Sequence, residues 1–336
     1  MTAIIAVMNH KGGVGKTTTT LNMASGLAAG GNSVLIIDMD PQSNAATGLG
    51  LNIKNIEQGT YELILGDVRL DDVVQQTDLP NVSLVPATFQ LAALSTISDQ
   101  DVDPEFWLRE SLAESTEHYN YVLIDCPPSF GILSLNALVA AQKVIIPVQS
   151  ESFAISGLQQ MEKSITDIRN EAEHSLDYRI LMTLCDSSQK LHRLVDKEIR
   201  SHFKEQVFTT SIPVEPKIAE SAFLGRPVIL HSPNSSGASA YITACAEVIK
   251  WVRGTADSIE DIHDEILKGL NAWLKDQNIA PSARPVRLKD TPPEYTPPPR
   301  TNVDAEKNSF RVNIRNGVIL ALALTAGMAL ALLGME

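Results

Sequence analysis

The chain has 336 residues, 44% hydrophobic and 20% charged, a composition that excludes wholesale disorder and suits two domains or one large domain with appendages. Its 40 acidic and 27 basic side chains leave a formal charge of −13, so a nucleic acid must be met by a local basic patch, and histone-like coating is excluded. Three cysteines, Cys126, Cys185 and Cys245, make no CxxC pair, which speaks against a disulfide framework or zinc knuckle and for reduced thiols in the cytoplasm.

In chain order, Ala3 to Met8 is a short apolar run that reads as a strand. Lys11 and several glycines interrupt it before it reaches the length of a signal-peptide core, so the body is expected not to be secreted. A glycine-rich turn follows, then a helix over Thr17 to Ala29. Further strands are predicted at Ser33 to Asp38, Tyr121 to Asp125, Lys143 to Val148 and Tyr178 to Leu184. Helical spacing falls between several of them, at Phe106 to Glu117, Leu133 to Ala141, Gly157 to Glu171 and His192 to Phe203. Continuously apolar strands separated by helices indicate a doubly wound α/β fold with a mainly parallel sheet, over residues 1–255.

Residues 256–280 change character. Ile259, Ile262, Ile266, Leu270 and Trp273 recur every three or four positions opposite an acidic face, which predicts an amphipathic helix packed on the domain or on a partner. Residues 281–316 hold seven prolines between Pro281 and Pro299 and read as a stiff linker. Residues 317–335 are dominated by Ala and Leu, and a helix of ~20 such residues spans ~30 Å, the thickness of a bilayer's hydrocarbon core. A single transmembrane helix is therefore expected. Lys307, Arg311 and Arg315 precede it and only Glu336 follows, which keeps the N-terminal body on the cytoplasmic, inner face of the cell membrane. Ala323, Gly327 and Ala331 form a small-residue stripe that either pairs two spans or is a coincidence of an alanine-rich stretch.

The strongest local signal is Lys11-Gly12-Gly13-Val14-Gly15-Lys16-Thr17-Thr18, set between a strand and a helix. Such a loop turns successive backbone N–H groups inward, and the helix N-terminus adds partial positive charge, so phosphates bind there. Lys16 is expected to reach the β and γ phosphates, and the Thr17 hydroxyl to coordinate Mg²⁺. His10 stands where an ordinary P-loop has its first glycine, and Lys11 is an additional lysine.

This octet resembles the deviant Walker A box of the ParA/MinD family of P-loop ATPases. The resemblance implies that Lys11 crosses to the partner's nucleotide in an ATP-bound homodimer, an arrangement with the logic of an arginine finger. Asp38-Met39-Asp40-Pro41-Gln42 resembles the family's second motif, which implies that Asp40 positions the attacking water and Asp38 lies near Mg²⁺. Asp125, closing the YVLID strand, resembles a Walker B acid that holds Mg²⁺ through water. The following Cys126-Pro127-Pro128-Ser129 and Asn136-Ala137 resemble the family's switch region. Asp40 to Asn44, Gly48 to Gly50, Leu84 to Thr88 and Pro147 to Gln149 favour the ParA/Soj branch, and the likeness covers roughly residues 1 to 253. It implies a nucleotide role on the adenine side for Pro213 and Glu215.

The likeness further implies nonspecific DNA contacts. Lys190, Arg193 and Lys197 share a helical face that also suits plain solvation, Arg200 follows, and the second basic segment keeps Lys217 but has Val214 where the family often has arginine. The expected function is a Mg-dependent ATPase, slow and stimulated by a ParB-like partner, acting in chromosome or plasmid partitioning. The alternative is a MinD-like, membrane-bound ATPase that positions a protein complex. A tyrosine autokinase is disfavoured because the tail has only Tyr295, and an iron–sulfur reductase because no suitable pair of cysteines is present.

Overall fold

The computed structural model describes residues 2–96, 103–113, 116–171 and 175–275. The expected linker over 281–316 and the expected transmembrane helix over 317–335, with its basic flank and small-residue stripe, lie outside the described residues. Among the described residues no helix is long and apolar enough to cross a membrane.

The strands are β1 (Ala3–Val7), β2 (Val34–Asp38), β3 (Gln75–Gln76), β4 (Val82–Val85), β5 (Tyr121–Asp125), β6 (Lys143–Gln149), β7 (Asp177–Cys185) and β8 (Val207–Pro213). They form one sheet in the order β3-β4-β2-β5-β1-β6-β7-β8, parallel throughout except for the antiparallel edge pair β3 and β4. The helices are α1 (Lys16–Ala29), α2 (Asn44–Gly48), α3 (Thr60–Leu65), α4 (Leu70–Val73), α5 (Trp107–Leu112), α6 (Ile132–Ala140), α7 (Ala154–Glu171), α8 (Lys190–Phe203), α9 (Pro216–Phe223), α10 (Val228–His231), α11 (Ser236–Arg253) and α12 (Ile259–Lys275).

Alternation along the strands divides the interior into two layers. Ile4, Ala6, Leu35, Ile37, Val122 and Ile124 pack under α5 to α8, whereas Ile5, Val7, Val34, Ile36 and Leu123 pack under α1, α11 and α12. Because both faces are covered, β2 and β5 are buried at every position, which is why they read as unbroken apolar runs.

Several elements differ from the sequence expectation. The helix expected from Phe106 to Glu117 is confined to α5 after a tight turn at Pro104–Phe106. β4 and β8 escaped notice, the first because it is four residues with Ser83 inside, the second because it is a bulged edge strand with partly exposed polar positions. α11 shows no amphipathic stripe because it is buried around much of its circumference, so close to α1 that a Cβ on Gly26 would meet Cys245 Sγ at 2.4 Å.

The amphipathic helix forms as α12, whose Ile262, Ile266 and Leu270 are buried in the α1 and α11 layer. A Cβ on Gly269 would stand 1.8 Å from the Ala29 carbonyl oxygen, so glycine there permits the close crossing of α12 over the end of α1.

Candidate nucleotide site

Parallel register gathers the site at the carboxyl ends of three central strands. Asp38 of β2 lies beside Asp125 of β5, and Asp125 beside Val7 of β1, whose end launches the glycine-rich loop. β1 has β5 on one side and β6 on the other, the crevice position at which open α/β sheets bind ligands.

The loop is held by the Asn9 side chain and by β6 and β7. Asn9 Nδ2 donates to the Pro147 carbonyl at 2.7 Å, the Lys11 N–H donates to Asn9 Oδ1 at 3.0 Å, and Thr183 Oγ1 donates to the Val14 carbonyl at 2.8 Å. Gly13 and Gly15 have φ of +76° and +86°, which L side chains rarely adopt, so glycine is required there by conformation. Gly15 is the N-cap of α1 and no side chain caps that end, which leaves the helix N-terminus for a ligand. Val14 is buried and supports the loop from beneath.

Lys16 is only 7% exposed, and its Nζ donates to the Lys11 carbonyl at 3.0 Å. Burial lowers its pKa, while Asp125, Cys126 and Asp40 oppose that shift. His10 stacks flat on Phe130, with ring centroids 4.9 Å apart, tying the loop to the segment after Asp125. Burial, then the nearby Lys16 charge, hold its imidazole below the ordinary histidine pKa.

Asp38 Oδ1 accepts from the Asp40 N–H at 3.0 Å, and its Oδ2 from the Ala45 N–H at 3.1 Å. Asp125 Oδ1 accepts from Thr20 Oγ1 at 3.0 Å, while its Oδ2 is buried without a hydrogen-bond partner. Burial pushes Asp125 up to about 7, opposed by the nearby Thr17 and Thr20 hydroxyls. Burial, then the neighbouring Asp125, carry Asp38 well above the usual carboxylate range. Two buried acids, an orphaned carboxylate oxygen and the Thr17 hydroxyl form an oxygen set of the hard type that suits Mg²⁺, whose charge would relieve this repulsion.

A cavity of ≈ 490 Å³ opens over the loop. Gly12, Gly13, Gly15, Lys16, Thr17 and Thr18 form its floor, and Asp40, Gln42 and Pro128 one end. Asp40 is fixed by accepting the Gln42 N–H at 3.0 Å. Further lining comes from α1 through Leu21 and Asn22, from α2 through Asn44, Thr47 and Gly48, and from α9 and the turn after it through Ser221 and Arg226.

Residues 2–178 match the family model described as an AAA domain. The chain is 37% identical over 249 residues to the sporulation initiation inhibitor protein Soj of Bacillus subtilis, covering 74% of this chain and 98% of that protein. It is 39% identical over 248 residues to the chromosome partitioning protein ParA of Myxococcus xanthus, covering 74% of this chain and 88% of that one. The chain belongs to the Soj/ParA family. Among solved structures it is similar to cobyrinic acid a,c-diamide synthase from Mycobacterium smegmatis with bound ADP and magnesium, at a TM-score of 0.66 and 32% identity over 76% of this chain and 97% of that one.

Other residues singled out in this Soj/ParA sequence are dispersed. Lys11 is exposed beside the cavity, where its ammonium pairs with Glu151. Pro213 ends β8, and Glu215 caps α9 by accepting the Lys217 N–H at 3.3 Å and Ser236 Oγ at 2.6 Å; neither lines the cavity. On α8, Val195, Ile199 and Phe203 face inward and leave Lys190, Arg193 and Lys197 exposed. Arg193 donates to the Ser187 and Ser188 carbonyls, Arg200 is bound by Asp196 and Ser211, and Lys217 pairs with Glu220 at 2.7 Å. Sequence reasoning missed Thr20, Glu151, Ser221 and Arg226, which carry no motif of their own and reach the site only through the fold.

Proposed function

We propose that this chain is a Mg-dependent ATPase whose ATP-driven homodimerisation acts in DNA partitioning, with a C-terminal tail that tethers it to the inner face of a membrane. The observation that carries this reading is that the buried pair Asp38 and Asp125 meets at adjoining strand ends, with Lys16, Thr17 and Thr20 beside Asp125, directly behind the cavity floored by the glycine-rich loop. Bound Mg-ATP supplies the phosphoanhydride to be hydrolysed and the charge that the buried acids await.

The chain's own groups divide the work. The loop's N–H groups and Lys16 would bind phosphate oxygens, Thr17 and Asp125 would hold the metal with Asp38 close by, and Asp40 would orient the attacking water from the cavity wall. Lys11 exchanges Glu151 for the partner's nucleotide as the dimer closes. Slow turnover follows from a site completed only by assembly, and a ParB-like protein accelerates it. Residues 317–335 support the tether through their length and lack of charge.

Lys190 and Lys197 are the exposed cations best placed to touch DNA phosphates without reading bases. The test is binding of the full chain to nonspecific duplex across a salt series, with ATP and with ADP. ATP-dependent binding is expected, and changing Lys190 and Lys197 to alanine should reduce the slope of log K against log salt by about two. Absence of binding in any nucleotide state, with ATP-driven dimerisation intact, would refute the DNA role. It would leave the MinD-like reading, which the engagement of Arg193 and Lys217 within the chain favours.

A further inference from the structure

Arg226 follows α9 in a turn held tightly against α2. The Leu224, Gly225 and Arg226 N–H groups donate to the Glu220, Ala222 and Ser221 carbonyls at 3.0, 3.3 and 3.0 Å. Gly225 has a φ of +65°, and a Cβ there would meet Gly50 Cα and the Thr47 carbonyl oxygen at 2.9 Å, so the turn cannot withdraw from α2 without breaking that contact. The backbone bearing Arg226 is thereby fixed relative to the wall of the nucleotide cavity, which Arg226 itself lines.

The guanidinium is half-buried, and among the described residues no carboxylate, carbonyl or ring partners it. Burial is the whole cause of its lowered pKa, with no neighbouring acid to offset it. Arg193 and Arg200 on α8, which do not line the cavity, are by contrast hydrogen-bonded within the chain. A permanently charged group partly withdrawn from water calls for an anion, and the fork of a guanidinium matches phosphate oxygens. The cavity's lining cations are Lys16 and Arg226, against the single acid Asp40. A nucleoside triphosphate brings several negative charges into that space, more than Lys16 alone can balance.

We infer that Arg226 is a further ligand of the nucleotide's phosphate chain, delivered from the α9 side of the cavity. This rests on reading the cavity as the nucleotide site. Binding through Arg226 also ties nucleotide occupancy to α9, the helix whose first turn carries Lys217.

The test is a titration of the full chain with fluorescent ADP and a fluorescent non-hydrolysable ATP analogue, for the native protein and for Arg226→Ala, Arg226→Lys and Lys16→Ala, beside their nucleotide-free melting temperatures. Loss of a charge-assisted pair predicts about tenfold or greater weakening in Arg226→Ala, with partial rescue in Arg226→Lys and an unchanged nucleotide-free melting temperature. Native affinity in Arg226→Ala, while Lys16→Ala fails to bind, overturns the role of Arg226 and leaves the nucleotide site standing. Absence of binding by the native chain overturns both. Should Arg226→Ala prove unfolded, Arg226→Gln decides: about tenfold weaker binding of both nucleotides supports the role of Arg226, and native affinity overturns it.

Discussion

Asp125 carries the sharpest conflict among the residues of the site. It is fully buried, one oxygen takes Thr20, and the other takes nothing, with Asp38 as its strand neighbour. A protein retains such a pair at the expense of stability only where a cation answers it. Asp125→Asn keeps the shape and removes the charge. Nucleotide-free Asp125→Asn is expected to melt at the same or a higher temperature than the native protein, and to lose most of the stabilisation that Mg²⁺ adds in the presence of nucleotide. A markedly lower nucleotide-free melting temperature would make Asp125 a structural acid instead. Asp38, Asp40, Lys16 and Asp125 were legible because each sits in a contiguous motif at a strand end. Thr20 and Glu151 were not, since an isolated Thr or Glu gains meaning only from the partner that the fold sets beside it.

At the scale of elements, the crossing of α12 over α1 depends on a missing side chain. Gly269 lies against the Ala29 carbonyl, where a Cβ would be only 1.8 Å away. Gly269→Ala gains helix propensity but forces the two helices apart. Overpacking of this kind typically costs about 1–3 kcal/mol, so melting should fall by roughly 2–10 °C, as read by calorimetry. A stabilised Gly269→Ala would mean that α12 is loosely seated. The stripe of Ile262, Ile266 and Leu270 made this helix legible, because one face is buried and the other is not. α11 lacked that contrast, and its covered faces allow small residues such as Gly237, Ala238 and Ala244 that announce no period. β8 was hidden for a further reason: its Thr209 and Thr210 N–H groups are accepted by the Glu247 carboxylate at 2.7 and 2.8 Å, a long-range device that leaves no local pattern. The central strands, in contrast, are covered on both faces and stood out as unbroken apolar runs.

In the whole molecule, a cavity floored by the phosphate loop stands beside an exposed lysine of that same loop. Within one chain Lys11 pairs with Glu151, so the second lysine of the loop does no work on this chain's own cavity. The proposed use for it is at the nucleotide of a second copy. The net charge of −13 makes two copies repel, so a dimer of this chain would need a local contact such as lysine to phosphate to offset that repulsion. The most direct test is sedimentation velocity on the full chain and on Lys11→Ala, each with ADP or a non-hydrolysable ATP analogue and Mg²⁺. The account predicts monomer with ADP, dimer with the analogue for the native protein, and monomer in both states for Lys11→Ala even though it still binds nucleotide. A Lys11→Ala protein that dimerises with the analogue as readily as the native chain would contradict it.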